Sequence, residues 1–357
     1  MLYKLLYQFT SYWFGFNVFR YVTVRTVFAT LTSMFLIILT GKSTINALKN
    51  LCHPNKLLSF RNDNKDKVPT MGGLIILGSI LISTLLWADI KNAYILLLIL
   101  LSVWLAAFGF WDDYIKLKQQ THEGLRPLVK ILGQISIGLI IGLILYYHPG
   151  LNFNTSVYMP FLKHIVFPLG IYYIFFATLV IVASSNAVNL TDGMDGLAIG
   201  SVLMIALTYG AISYIVSNVT FAGYLNIPHI KGAEEVTVFA GALIGASLGF
   251  LWYNCYPAEI FMGDTGSLML GGIIGLLAII VKQELSLIIM GSVFFIEAFS
   301  VIIQVFSFKT RGKRIFLMTP LHHHFELKGI PEPKVTIRFW ILGIIFALFT
   351  LVTLKIR

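Results

Sequence analysis

The sequence predicts an all-α integral membrane protein of about ten transmembrane helices, and three observations predict it. Hydrophobic residues fill 57% of the 357 positions and charged residues only 12%, against roughly 25% charged in soluble domains; mean hydropathy is +0.83. Apolar runs recur near residues 18–40, 70–88, 93–111, 128–147, 165–186, 194–217, 236–256, 266–281, 285–308 and 336–355. Most are close to the ~20 residues that cross a bilayer. The third observation is the placement of the basic residues.

Fifteen lysines and arginines fall in the loops after odd-numbered runs, eight on the opposite side including both termini, and Arg25, Lys130 and Arg338 within runs. Positive charge collects on the cytoplasmic side, so the odd loops, near 41–69, 112–127, 187–193, 257–265 and 309–335, are expected in the cytoplasm and the termini outside. A net charge of +10 distributed this way describes membrane orientation, not a nucleic-acid surface. The aromatic segment before the first run suits an interfacial helix. With no linker or internal repeat, residues 1–357 read as one polytopic domain. Cys52 and Cys255 stand in different segments, which supplies neither a disulfide framework nor a metal spacing.

Acidic residues near spans are costly unless paired, hydrated or metal-bound. Asp112 and Asp113 close the third run, Asp192 and Asp195 separate the fifth from the sixth, and Asp264 separates the seventh from the eighth. All five fall in odd loops, at one mouth. The loops 187–193 and 257–265 contain no lysine or arginine, so Asp192 and Asp264 call for an external cation. Mg²⁺ binds through one or two carboxylates plus water and substrate phosphates. Against this stands simple helix capping, a common task for aspartate.

Adjacent Asp112 and Asp113 point about 100° apart on a helix, so they are not expected to chelate one ion together. One is expected to hold metal or accept a proton and the other to bond the protein; a solvated helix end is the alternative. Lys67, Lys116, Lys118 and Lys130 offer partners for phosphate. Phe261 is placed to stack on a planar ring, with Asn186, Asn189 and Asn254 as hydrogen-bond donors to its edge or to a sugar. His322, His323 and His324 stand in the largest basic loop, as donors to phosphate or sugar oxygens, as a fortuitous zinc binder, or as a surface cluster. Glu297, deep in the ninth run, reads as an interhelical partner with Gln304 on its face.

The strings "DDYIK", "NAVNLTDGMDGLA", "NCYPAEIFMGDTGSLMLGG", "PLHHHFELKG" and "PEPKVTIRFW" closely resemble the phospho-N-acetylmuramoyl-pentapeptide transferases, within the polyprenyl-phosphate N-acetylhexosamine-1-phosphate transferase superfamily. The resemblance runs over essentially the whole chain. It implies a ten-span, Mg²⁺-dependent, homodimeric enzyme of the bacterial cytoplasmic membrane with a cytoplasmic site, acting in peptidoglycan synthesis. The implied reaction moves phospho-MurNAc-pentapeptide from UDP-MurNAc-pentapeptide to undecaprenyl phosphate, giving lipid I and UMP.

Carried to this sequence, the resemblance makes Asp264 a magnesium ligand and Asp112 the base, with Asp113 beside it. It places Asp192, Asp195, Asn189, Asn254, Phe261 and Lys67 around uridine and phosphate, and the three histidines against substrate. Direct displacement and a covalent route through a carboxylate both stay open. Two other functions compete. A transferase of the same superfamily would use UDP-GlcNAc. An ion-coupled transporter would show repeated halves and midplane acids, whereas here only Glu297 is deep.

Overall fold

A computed structural model describes residues 2–51, 68–119, 123–151, 153–162 and 165–356. Lys67 and most of the expected 41–69 loop lie outside the described residues. The N-terminal aromatic segment forms the short helix α1 (Leu2–Gln8) followed by 3₁₀ turns. Then come α2 (Val22–Leu51), α3 (Gly73–Trp87), α4 (Ala93–Gln119) and α5 (Pro127–Tyr147).

A small antiparallel hairpin of β1 (Ser156–Tyr158) and β2 (Val166–Pro168), with Val157 opposite Phe167, leads into α6 (Tyr173–Thr191). The chain continues through α7 (Leu197–Ser217), α8 (Val219–Leu225), α9 (Ala233–Asn254), α10 (Gly263–Ile280), α11 (Ser286–Met290), α12 (Ser292–Arg311), α13 (Leu321–Leu327) and α14 (Glu332–Ile356). Among the described residues nine helices are long and apolar enough to cross a membrane. The second apolar run becomes the 15-residue α3, shorter than those nine.

Several boundaries differ from those expected. α2 runs on to Leu51 because no proline interrupts it before Pro54. α4 carries Asp112 and Asp113 within the helix and ends only at Gln119, the Asp112–Lys116 pair at i,i+4 spanning its last turns. The ninth run breaks at Gly291 into α11 and α12.

The centre of the bundle is α10. Sixteen of its 18 residues are buried, from Thr265 to Ile280, and it packs chiefly on α4 and α6, with α3 alongside. A second layer stacks α2 on α9, α9 on α7, and α7 on α14. The α2–α9 contact depends on small residues at every fourth position. Cβ atoms added at Gly241, Gly245 and Gly249 would run into the backbone of α2 at Thr26, Thr30 and Met34. Close backbone approach of this kind supplies the packing that apolar surface cannot drive in lipid.

Arg25, expected within a span, is buried and paired through both terminal nitrogens with Glu235 of α9 at 2.7 and 2.9 Å. Glu235 also accepts the Asp89 backbone N–H at 2.7 Å. Both terminal nitrogens of Arg25 and both Glu235 oxygens are bonded, and Arg25 also donates to the Trp87 carbonyl at 3.3 Å, which offsets the desolvation cost of a buried pair. The pair ties α2, α9 and the end of α3 together at the bundle end opposite Asp112.

Candidate active site

At the N-terminus of α10 the first backbone N–H groups have no helical partner. Asp113, reaching across from α4, supplies one. It accepts the N–H of Asp264 at 3.1 Å, the N–H of Thr265 at 2.9 Å and the Thr265 hydroxyl at 2.6 Å. Gly263 makes this approach feasible, because its φ is +72° and a Cβ there would strike the Asp113 carboxylate and Thr70. One turn earlier in α4, Gly109 lets the Asp264 backbone rest directly against the helix.

Asp264 thereby lands between the paired aspartates. One oxygen each of Asp112, Asp113 and Asp264 lies within 4.8 Å of the others. Asp112 and Asp113 thus come near one point, but both oxygens of Asp113 are taken up by the α10 terminus, in keeping with the expectation that one of the pair bonds the protein. Their side chains do diverge, but α10 inserts a third carboxylate into the gap.

Two lysines compensate the charge. Lys116 lies 2.6 Å from Asp112 and 3.0 Å from Asp264, and Lys130, from the first turn of α5, lies 2.9 and 2.6 Å from the same two. Asp112 is fully buried and also accepts the Leu125 N–H at 2.7 Å. Asn189, near the end of α6, donates to Asp264 and to Ser267, both at 2.8 Å. Asn186, one turn before it, is held by Gln134 of α5 at 2.7 Å.

The "NLTDGMDGLA" loop divides its two aspartates between different tasks. Asp195 is buried, accepts the Ala258 N–H at 3.0 Å, and its own N–H donates to Glu332. Asn254 accepts from Gly196 at 3.1 Å and donates to the Ile260 carbonyl at 2.8 Å. These two residues fasten the 192–196 loop to the segment entering α10. Asp192 caps the end of α6, and among the described residues its carboxylate accepts no hydrogen bond. Desolvation, followed by the charges of Asp264, Asp113 and Asp195, pushes its carboxyl up to about 8. Phe261 is half-buried, and its backbone pairs with Pro69 and Gly72 at 2.8 and 2.9 Å, which aligns the entry to α3 with the entry to α10.

The histidine segment reaches the same loop by a route the sequence does not announce. After α12 the chain folds back along it. Gln304 accepts the N–H groups of Ile315 and Phe316, and Ser307 donates to the Lys313 carbonyl. The short α13 therefore descends beside α12, where the deep acid Glu297 accepts the backbone N–H of His322 at 3.1 Å and lies 3.2 Å from its Nδ1. Glu297 is thus an interhelical hydrogen-bond partner, as expected, with α13 as the helix it holds, whereas Gln304, on the same face, holds the returning segment of chain.

His322 is fully buried with its Nε2 against Gly193, next to Asp192; His323 also faces Gly193 and pairs with Glu326 at 3.2 Å. A side chain at position 193 would fill the space His322 occupies. His324 turns away and accepts the Leu317 N–H at 3.1 Å. Thr265, Ser267 and Gln134 belong to this network and were not singled out by sequence. The hydroxyls of "GDTGS" beside Asp264 were a usable signal, whereas nothing local marks Gln134.

The helical bundle and the acid–lysine cluster at one of its ends define a class: a multi-pass membrane enzyme built to manage phosphate charge. Residues 95–282 match the glycosyl transferase family 4, and the chain belongs to that family. It is 50% identical, over the full length of both chains, to a protein of Geobacter sp. (strain M21) named phospho-N-acetylmuramoyl-pentapeptide-transferase. A protein of the same name from Citrifermentans bemidjiense is 50% identical, and one from Brachyspira hyodysenteriae 47%, each again over both full lengths. The protein is a phosphoglycosyl transferase of the bacterial inner membrane.

Proposed function

We propose that the chain transfers phospho-N-acetylmuramoyl-pentapeptide from UDP-MurNAc-pentapeptide to undecaprenyl phosphate, giving lipid I and UMP in peptidoglycan synthesis. The observation that carries this reading is the convergence of Asp112 and Asp264 on the same two ammonium groups, Lys116 and Lys130. The names of the full-length relatives favour the muramoyl-pentapeptide donor over UDP-GlcNAc.

The donor set fits Mg²⁺: Asp112, Asp113 and Asp264 offer one hard oxygen each within 4.8 Å, and Asp192, outside that cluster, is near enough for the charges of Asp264 and Asp113 to act on it. Asp264 and Asp192 would hold the ion, with Asp112 in reach. Bound there, Mg²⁺ would neutralise diphosphate charge. Both oxygens of Asp113 are committed to the α10 terminus, so of the adjacent pair Asp112 takes the chemical role and accepts the proton of a lipid phosphate that arrives protonated.

In the reaction, an oxygen of undecaprenyl phosphate attacks the phosphorus attached to the sugar. The bond from that phosphorus to the bridging oxygen breaks, and UMP leaves with the electron pair. One anhydride forms as another is lost, so catalysis rests on positioning and charge neutralisation. Lys116 and Lys130 supply mobile positive charge to the diphosphate. Asn189 fixes Asp264, and His322 and His323 close the site over Gly193. Phe261 offers a face for the uracil, and Asp195, Asn254 and Asn186 hold the pocket walls. Lys67, outside the described residues, adds a phosphate contact from the chain before α3. The chain acts as one polytopic domain with this mouth in the cytoplasm, and as a homodimer.

Asp264→Asn tests the reading. Amide replaces one carboxylate without changing its shape, and removing one preorganised charge of this kind costs about 10²–10³ in turnover. UMP release should fall by at least about 10²-fold while the protein keeps the wild-type elution profile in detergent. Wild-type turnover would remove Asp264 from the site.

A further inference from the structure

Three helices that carry the acid–lysine residues at one end, α4, α5 and α10, border a cavity at the other together with the entry to α9. The cavity, of about 590 Å³, is lined by Tyr94 at the start of α4, His148 just after α5, Lys231 and Gly232 just before α9, and Lys282 just after α10. Along α4 alone, Ala93 and Asp112 are nineteen residues apart, about 28 Å at helical rise. The two sites therefore face opposite surfaces of the membrane.

The lining is cationic. Lys91, His148, His229, Lys231 and Lys282 contribute to it, and among the described residues no aspartate or glutamate does. The nearby acids each hold a partner: Asp89 pairs with Lys4 at 2.8 Å and accepts the Lys91 N–H at 3.2 Å, Glu234 accepts the Gly232 N–H at 3.0 Å, and Glu284 pairs with Lys282 at 2.9 Å. Lys91 and Lys231 are exposed at the rim and form no ion pair among the described residues.

The rim is also built. Asn92 accepts the Tyr94 N–H at 2.9 Å and donates to the Gly232 carbonyl at 2.8 Å, which locks the start of α4 to the start of α9. Lys282 keeps a left-handed backbone, φ 58°, and its ammonium lies against the rings of Phe153 and Tyr173. Tyr94, Leu151, Phe153 and Ile230 give the cavity an apolar wall.

We infer that this cavity binds a phosphate group, the headgroup of an anionic lipid in the outer leaflet or free phosphate. Two exposed ammonium groups outside any ion pair among the described residues, Lys91 and Lys231, beside an apolar-walled recess at the end of membrane-spanning helices match a phosphate held at the bilayer interface. The site is separate from the transferase chemistry.

The test uses purified full-length protein in mild detergent. Bound phosphatidylglycerol and phosphatidylcholine of the same chains are counted by native mass spectrometry, and inorganic phosphate binding is measured by equilibrium dialysis. The double variant Lys91→Ala/Lys231→Ala changes only exposed rim residues. Retention of phosphatidylglycerol should fall about tenfold in it, with phosphatidylcholine unchanged. If inorganic phosphate binding is what disappears, the phosphate chemistry stands and its source is the free ion. Equal binding of both probes by wild type and variant, or an equal loss in Lys355→Ala, whose lysine lies outside the cavity, would overturn the inference. UMP release is read in parallel at the wild-type rate, so failure here and failure of the transferase reading give different results.

Discussion

Asp192 is the carboxyl whose titration reports what the site holds. Its pKa lies near 8 when only protein surrounds it, so at pH 7 it is largely protonated and a cation must displace that proton. Metal binding and proton release are linked in this way whenever a ligand must ionise. Apparent Mg²⁺ affinity should climb as pH rises from about 6 towards 8 and level off above. Calorimetry at pH 7 in two buffers of different ionisation enthalpy should show release of close to one proton, and Asp192→Asn should abolish it. Proton release unchanged in that variant would separate Asp192 from the metal. The candidate residues were legible here because carboxylates are conspicuous in an apolar chain. Their division of labour was not: Asp113 and Asp195 became structural because backbone N–H groups from distant segments happen to end at them, a fact no local spacing contains.

Glu297 and α13 show the same limit one level up. Nine of the ten apolar runs became helices long and apolar enough to span, because length and hydropathy suffice for that, and the second became the shorter α3. The returning segment after α12 has no periodicity to betray it, and its anchors, Glu297, Gln304 and Ser307, look like ordinary polar residues in a helix. Glu297→Ala should leave the buried His322 N–H without an acceptor, at a cost of about 1–3 kcal/mol. Hydrogen exchange across 321–327 should quicken and turnover should drop, whereas Glu297→Gln, still an acceptor, should restore most of the protection. Equal exchange in all three proteins would show that α13 is held by something else. The α9 glycine stripe makes a separate claim. Gly245→Val would push a side chain into the backbone at Thr30, and overpacking of this kind costs about 1–3 kcal/mol. Thermal unfolding in detergent should begin at lower temperature, with the acid site itself unaltered.

Across the whole molecule, the placement of charge sets which face of the membrane the chemistry serves. Fifteen basic residues on the side of the acid–lysine cluster against eight opposite support our proposal that the cluster faces the cytoplasm, and labelling tests it. Cys255 is exposed at the end of α9, at this mouth. In a Cys52→Ala background an impermeant thiol reagent should leave Cys255 unmodified in intact cells and modify it once the membrane is opened. Labelling of intact cells would invert the protein.

The most direct measurement is UMP release by the purified protein, with UDP-MurNAc-pentapeptide or UDP-GlcNAc as donor, each with and without undecaprenyl phosphate and Mg²⁺. UMP should appear with the muramoyl-pentapeptide donor only when both the lipid phosphate and the metal are present, and far more slowly with UDP-GlcNAc. Release without the lipid, or equal use of the two donors, would contradict the transfer assigned to Asp112, Asp264, Lys116 and Lys130.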